Sequence, residues 1–186
     1  MVTDLQIQVK REMINGRIYK MPPIYDPEHG RAIHGLYRIF SNYCFEKGYE
    51  IFSNDTYAIL SEDNKPAPDF MIICDTTKIT AKGIFGAPDL IVEVLSAGTR
   101  KYDRTTKKEI YEKYGVKEYW LIDPRSRTID VFHLINGKYV MDNTYEFYAK
   151  DELIENLERD FEPVTEFKTS LFDDLTISIN DIFWGM

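Results

Sequence analysis

At 186 residues, with 44% hydrophobic and 29% charged residues, the chain is long enough for one filled core and has the make-up of an ordinary globular protein. Its net charge of −8 argues against a non-specific nucleic-acid coat, which is normally basic, but allows a local basic patch. The longest apolar runs, DLIVEVL and EYWLID, are too short to cross a bilayer and the first residues lack a signal-peptide core, so the expectation is one domain over residues 1–186, cytoplasmic, with no membrane partner.

In chain order, REMINGRIYKMPP reads as a hairpin turning at Asn15-Gly16. Residues 28–47 read as a helix: Ile33, Leu36, Tyr37, Phe40 and Cys44 recur at helical spacing, and Gly48 can end it. YEIFSN, TYAILS and DFMIICD read as strands, followed by a loop through Gly83 and Gly86 and a strand over 89–96. A charged helix is expected over 103–114, stopping at Gly115, then a buried strand KEYWLIDP. TIDVFHLINGKYVMDNTYEFY reads as a second hairpin about Asn136-Gly137, and SLFDDLTISINDIF closes the chain. The sum is an α/β or α+β fold, a central mixed sheet with flanking helices. Strand 89–96, helix 103–114 and strand 118–123 have the order and lengths of a βαβ crossover. Cys44 and Cys74 lack metal or disulfide spacing and read as buried thiols.

The strand GAPDLIVEVLS carries two carboxylates into an apolar run, where a charge needs a partner. Asp89, Ile91, Glu93 and Leu95 share one face, but Asp89 and Glu93 stand roughly 13 Å apart along it and cannot easily grip one ion. Asp69, opening the preceding strand, is the better companion for Glu93 if the two strands pair. Together they make a reasonable Mg²⁺ site, with Mn²⁺ as a substitute. The plainer alternative is an Asp bonding local amides and a Glu paired with a Lys or Arg. On the next helix, Asp103, Lys107 and Tyr111 form a stripe that could aim Lys107 at a developing phosphate charge. The alternative is Asp103 as an N-cap with Lys107 as its solvated partner. His34 is a third candidate, against a surface histidine; His29 and His133 attract no role. No nucleophile elbow, P-loop or GxGxxG is present.

APDF at 67–70, GAPDLIVEVLS at 86–96, D-x3-K-x3-Y at 103–111 and YGVKEYWLIDP at 114–124, in this order, resemble the Uma2 family. That resemblance covers most of the chain and implies a restriction-endonuclease-like PD-(D/E)xK core and a Mg²⁺-dependent endonuclease cutting phosphodiester bonds, of DNA in the first instance. It implies Asp69 and Glu93 as metal ligands, Lys107 as the catalytic cation, and Asp89 and His34 in support. Leu95 stands where the wider superfamily has Lys. Arg100, Lys101 and Arg104, in the basic run TRKYDRTTKK, are the expected weak nucleic-acid contacts. A homodimer is compatible with this reading. The rival is a nuclease-fold binding or assembly protein without catalysis.

Overall fold

Two Asn-Gly turns set the two hairpins. Strands β1 (Lys10–Ile14) and β2 (Arg17–Met21) close through Asn15 and Gly16, with φ of 49° and 72°. The left-handed conformation at both central positions is the twist that matches paired strands. Helix α1 (Pro27–Lys47) begins where Asp26 accepts the Glu28 amide at 3.0 Å and ends on Gly48 at φ 72°. The computed structural model describes residues 10–21, 26–53, 55–149, 152 and 163–186. Pro22 and Pro23, the tail of the predicted first hairpin, and Asn54, the end of the next predicted strand, lie outside the described residues.

After α1 come β3 (Glu50–Ser53), β4 (Ala58–Ile59), β5 (Phe70–Ile73), β6 (Ile79–Thr80), β7 (Gly83–Phe85) and β8 (Leu90–Val94). TYAILS therefore supplies two strand residues, and the expected loop at Gly83 holds a strand. Strand β4 pairs with β7 and β7 with β6, a small sheet beside the main one. Helix α2 (Arg100–Tyr102), a π-helical turn (Asp103–Lys107) and α3 (Lys108–Tyr114) then run on continuously to Gly115. Next come β9 (Glu118–Asp123), β10 (Thr128–Ile135), β11 (Lys138–Glu146), β12 (Glu166–Lys168), β13 (Thr176–Ser178) and α4 (Ile179–Ile182). The second hairpin turns at Asn136 and Gly137, as expected.

The main sheet is mixed and six-stranded, in the order β11-β10-β9-β8-β5-β3. Strands β8 and β9 are parallel and joined by the helical segment, the predicted crossover; the other neighbours are antiparallel. Both central strands are buried along their length, because each face is covered. On one face α1 lays Leu36, Phe40 and Cys44 against Phe70, Ile72, Val92 and Trp120. On the other, Ile110 and Tyr111 cover Met71, Ile91, Leu95 and Tyr119. Glu93 alternates onto that second face, under the helix that carries Lys107. Cys44 is buried and Cys74 half-buried, both free thiols. Among the described residues, no helix is long and apolar enough to cross a membrane.

Gly35 lets α1 touch the last helix. A Cβ there would meet the Asp181 carbonyl oxygen at 2.5 Å and the Ile182 Cα at 2.8 Å, both backbone atoms that cannot swing aside. Gly35→Ala is therefore expected to destabilise the protein by about 1–3 kcal/mol despite its better helix propensity. Chemical denaturation measures this; a stabilised variant would show that the two helices part freely.

Candidate functional site

Antiparallel pairing of β5 and β8 places Phe70 opposite Val92, which brings Asp69 beside Glu93. The Val94 amide donates to Asp69 Oδ2 at 2.8 Å, and His29 Nε2 stands 3.3 Å from the same oxygen. The π-helical turn aims Lys107 inward. Its Nζ lies 2.9 Å from Glu93 Oε1, 3.2 Å from Glu12 Oε1 and 3.4 Å from Asp103 Oδ1. Tyr111 donates its hydroxyl to Glu93 Oε1 at 2.7 Å. Glu12 reaches in from β1 and also accepts the Ala67 amide at 2.9 Å, tying the hairpin to the segment that ends in Asp69.

This cluster is nearly dry: Lys107 and Glu93 are each 2% exposed, and Glu12 and Asp103 1%. Glu93, Glu12 and Asp103 meet one buried ammonium at 2.9–3.4 Å, and Asp69 adds its charge from beyond ion-pair distance. Burial, only partly offset by Lys107 and reinforced by Asp103, Asp69 and Glu12, lifts the Glu93 carboxyl to about 8. Burial likewise raises Asp103. For Asp69 burial is outweighed by the bond and charge of His29, with Lys10 and Lys107 helping, and it falls below the usual carboxylate range. Lys107 is held protonated because Glu93, Glu12, Asp103 and Asp69 together overcome its desolvation. Glu12 Oε2 is buried without a hydrogen-bond partner among the described residues, and Asp103 Oδ1 has only its 3.4 Å ion pair with Lys107.

Clustered carboxylates and an unpartnered carboxylate oxygen are the donor chemistry of a hard divalent cation. Among the described residues no three His, Cys, Asp or Glu side chains are gathered into a ready metal cage. Mg²⁺ does not need one: it binds through one or two carboxylates, with water and substrate phosphate completing its shell. The residues present fit such an ion.

The family model for Uma2, described as "Putative restriction endonuclease", matches residues 4–163. The chain belongs to the Uma2 family. An "Uncharacterized protein slr1290" from Synechocystis sp. is 30% identical over 126 residues, an alignment covering 67% of this chain and 66% of that relative. A crystal structure from Anabaena variabilis, described as a "putative nuclease belonging to DUF820", superposes with a TM-score of 0.67 at 20% identity, over 93% of this chain and 89% of that one. At that identity the likeness shows a shared fold.

In this Uma2 family member, Asp69 lies beside Glu93, and Lys107 and Tyr111 both meet Glu93, with Asp103 on the same lysine. Lys107 is interior rather than a solvated surface partner. Two expected supporters fall elsewhere. Asp89 faces the far end of β8, where it accepts the Cys74 amide at 2.8 Å and pairs with Lys117 at 2.7 Å. His34 is on the exposed side of α1, and His29 occupies the place beside Asp69. The stripe of α1 that contains Ile33, Leu36, Phe40 and Cys44 continues back to His29, so helical phase alone could have chosen it. Glu12 was legible as well, since in β1 it alternates with buried Ile14.

The basic run is also not the free patch its composition suggests. Arg100 forks onto both oxygens of Asp123, and Arg104 Nη1 lies 2.7 Å from Asp130 Oδ2. The Lys108 ammonium stands 3.7 Å over the Phe132 ring. Lys101 is exposed.

Proposed function

We propose that this protein is a Mg²⁺-dependent endonuclease that hydrolyses phosphodiester bonds of nucleic acid, on a restriction-endonuclease-like PD-(D/E)xK core. The observation that carries the reading is the placing of Asp69, from the start of β5, beside Glu93, from the middle of β8, with a buried lysine on Glu93. Asp69 and Glu93 would hold the ion, which when bound supplies positive charge to the phosphoryl oxygens and acidifies a water. His29 and the Val94 amide fix the orientation of Asp69. Lys107 and Tyr111 do the same for Glu93 by sharing its Oε1. The Lys107 ammonium, carried on the helical segment that follows β8 rather than on β8, replaces the cation that Leu95 cannot provide, and balances charge that grows on the phosphate. Burial raises the Glu93 carboxyl to about 8, so an ion held by Glu93 near neutrality would have to displace its proton.

One observation favours the rival, a nuclease fold used only for binding. Lys107 already answers three carboxylates at 2.9–3.4 Å and so acts as an internal counter-ion for the fold. A cleavage assay separates the two. Plasmid, short duplexes and single strands are incubated with Mg²⁺ or Mn²⁺, beside Asp69→Asn and Glu93→Gln prepared identically. The expected result is metal-dependent cleavage, stopped by chelator, that falls by roughly 10² or more in either variant. Equal cleavage by all three proteins would assign the activity to a contaminant, and none at all would hand the case to the rival.

A further inference from the structure

Strand β1 has a second face. On the outer side of the hairpin a cleft of about 700 Å³ runs between β1 and the small sheet of β4 and β7, and Glu12 is part of its wall. Its mouth holds Ile18, 62% exposed, Phe85, 48% exposed, and Tyr57, 37% exposed. Arg11, Lys65 and Lys82 line it too, and none of the three has an ion-pair partner among the described residues. Against them stands one exposed acid, Glu62. On a chain of net charge −8 this is a local excess of free cations, unlike the Arg100–Arg104 run, whose arginines are spent on Asp123 and Asp130.

From these features we infer that the cleft takes up an unpaired nucleic-acid strand and leads its backbone to the buried carboxylates. The inference rests on the hydrolytic reading and adds a substrate class to it. Exposed ring faces with interleaved cations suit a single strand, whose bases are free to stack on Tyr57 and Phe85 while Arg11, Lys65 and Lys82 meet phosphates. A duplex hides its base faces and leaves those rings unused. The platform is rigid. Ile59 and Phe85 are register partners in the small sheet, and Gly83 at φ 133° lets β7 run so close to Tyr57 that a Cβ there would stand 2.6 Å from its carbonyl oxygen. Tyr57 is pinned further by donating its hydroxyl to the Arg11 carbonyl at 3.0 Å.

The cleft is joined to the site by short connections. Lys65 donates its amide to the Met13 carbonyl at 2.7 Å, and four residues later the same segment reaches Asp69. Glu12 lines the cleft and also belongs to the buried cluster, where its fully buried side chain sets Oε1 toward Lys107 and leaves Oε2 with no hydrogen-bond partner among the described residues. A strand bound along Arg11 and Lys65 therefore lies on residues next in sequence to Glu12 and four residues from Asp69.

Fluorescence anisotropy with labelled oligo-dT and oligo-rU of about 12 nucleotides, and a duplex of the same length, tests this at low salt with Ca²⁺ present. The single strands are expected to bind at least about ten-fold more tightly than the duplex, the two oligomers telling DNA from RNA. Phe85→Ala should weaken them by roughly 5- to 100-fold, the loss of one stacked base. Arg11→Glu and Lys82→Glu should each flatten the salt dependence by about one phosphate contact. Arg125→Glu, an equal charge change in the β9–β10 turn outside the cleft, should weaken binding less than either. Lys82 is exposed on a turn, so Lys82→Glu carries the test if Phe85→Ala misfolds. Duplex binding as tight as single-strand binding, or cleft variants no weaker than Arg125→Glu, overturns the inference. Duplex cleavage untouched by the cleft variants would remove the cleft and keep the hydrolytic reading. Tight, cleft-dependent strand binding without cleavage would keep the cleft and remove hydrolysis.

Discussion

Lys107→Ala is expected to cost about 3–5 kcal/mol of folding stability, because it strips the buried ammonium from between Glu93, Glu12 and Asp103. On spacing alone, this lysine could be exchanged without harm to the fold; burial to 2% exposure changes that expectation. The carboxylates left behind would repel one another in a dry site and bind protons or a cation in compensation. A divalent cation should therefore raise the melting temperature of Lys107→Ala by more than it raises that of the wild type. Thermal melts with and without Mn²⁺ measure both effects. A variant that melts like the wild type would return Lys107 to the protein surface, and one destabilised but blind to Mn²⁺ would mean the carboxylates do not form a cation site. Hydrolysis should fall as well, but the metal response is the readout that a loss of packing alone cannot imitate.

The parts of this site that were readable in the sequence are those governed by a local period. Alternation along β8 put Glu93 on a single face, and pairing with the neighbouring strand made Asp69 its natural companion. The stripe of Asp103, Lys107 and Tyr111 followed from helical spacing. His29 was lost to His34 although the α1 stripe pointed to it, because position 34 sits one residue past Ile33 and turns about 100° away from the core. What no local rule could supply were partners from distant strands. Nothing near Arg100 or Arg104 announces Asp123 and Asp130, which the sheet brings beneath them and which turn a basic run into paired, half-exposed arginines. The cleft was invisible for the same reason. Its walls come from residues 11–18, 57–65 and 82–86, and the last of these read as a loop because two glycines punctuate a three-residue strand.

Stability of the metal-free protein should fall as pH rises from about 4.5 to about 8, and Glu93→Gln should remove most of that slope. The direction follows from proton counting. The unfolded chain releases the Glu93 proton near 4.5, while the folded protein holds it until about 8. Between those values the folded state binds more protons than the unfolded one, so each step up in pH favours unfolding. The contribution is complete below about 4.5 and gone above about 8. Asp69 acts oppositely and elsewhere: its carboxyl is lowered from 3.8, so its share of stability is present above that value and lost in stronger acid. Asp103, raised by burial, adds to the Glu93 slope without altering its sign. A neutral glutamine keeps the shape and the hydrogen-bonding edge of Glu93 but has no charge to bury, so Glu93→Gln should be the more stable protein at about pH 9 and close to the wild type at about pH 5. Cation binding supplies the matching test. An ion entering beside Glu93 must expel its proton, so Mn²⁺ affinity should climb with pH across this window in the wild type and stay flatter in the variant. Titration calorimetry in two buffers of different ionisation enthalpy counts the proton released. A wild type whose stability relative to Glu93→Gln is the same at pH 5 and pH 9, with no proton released on binding Mn²⁺, would show that Glu93 is ionised throughout and that Lys107 alone balances the cluster.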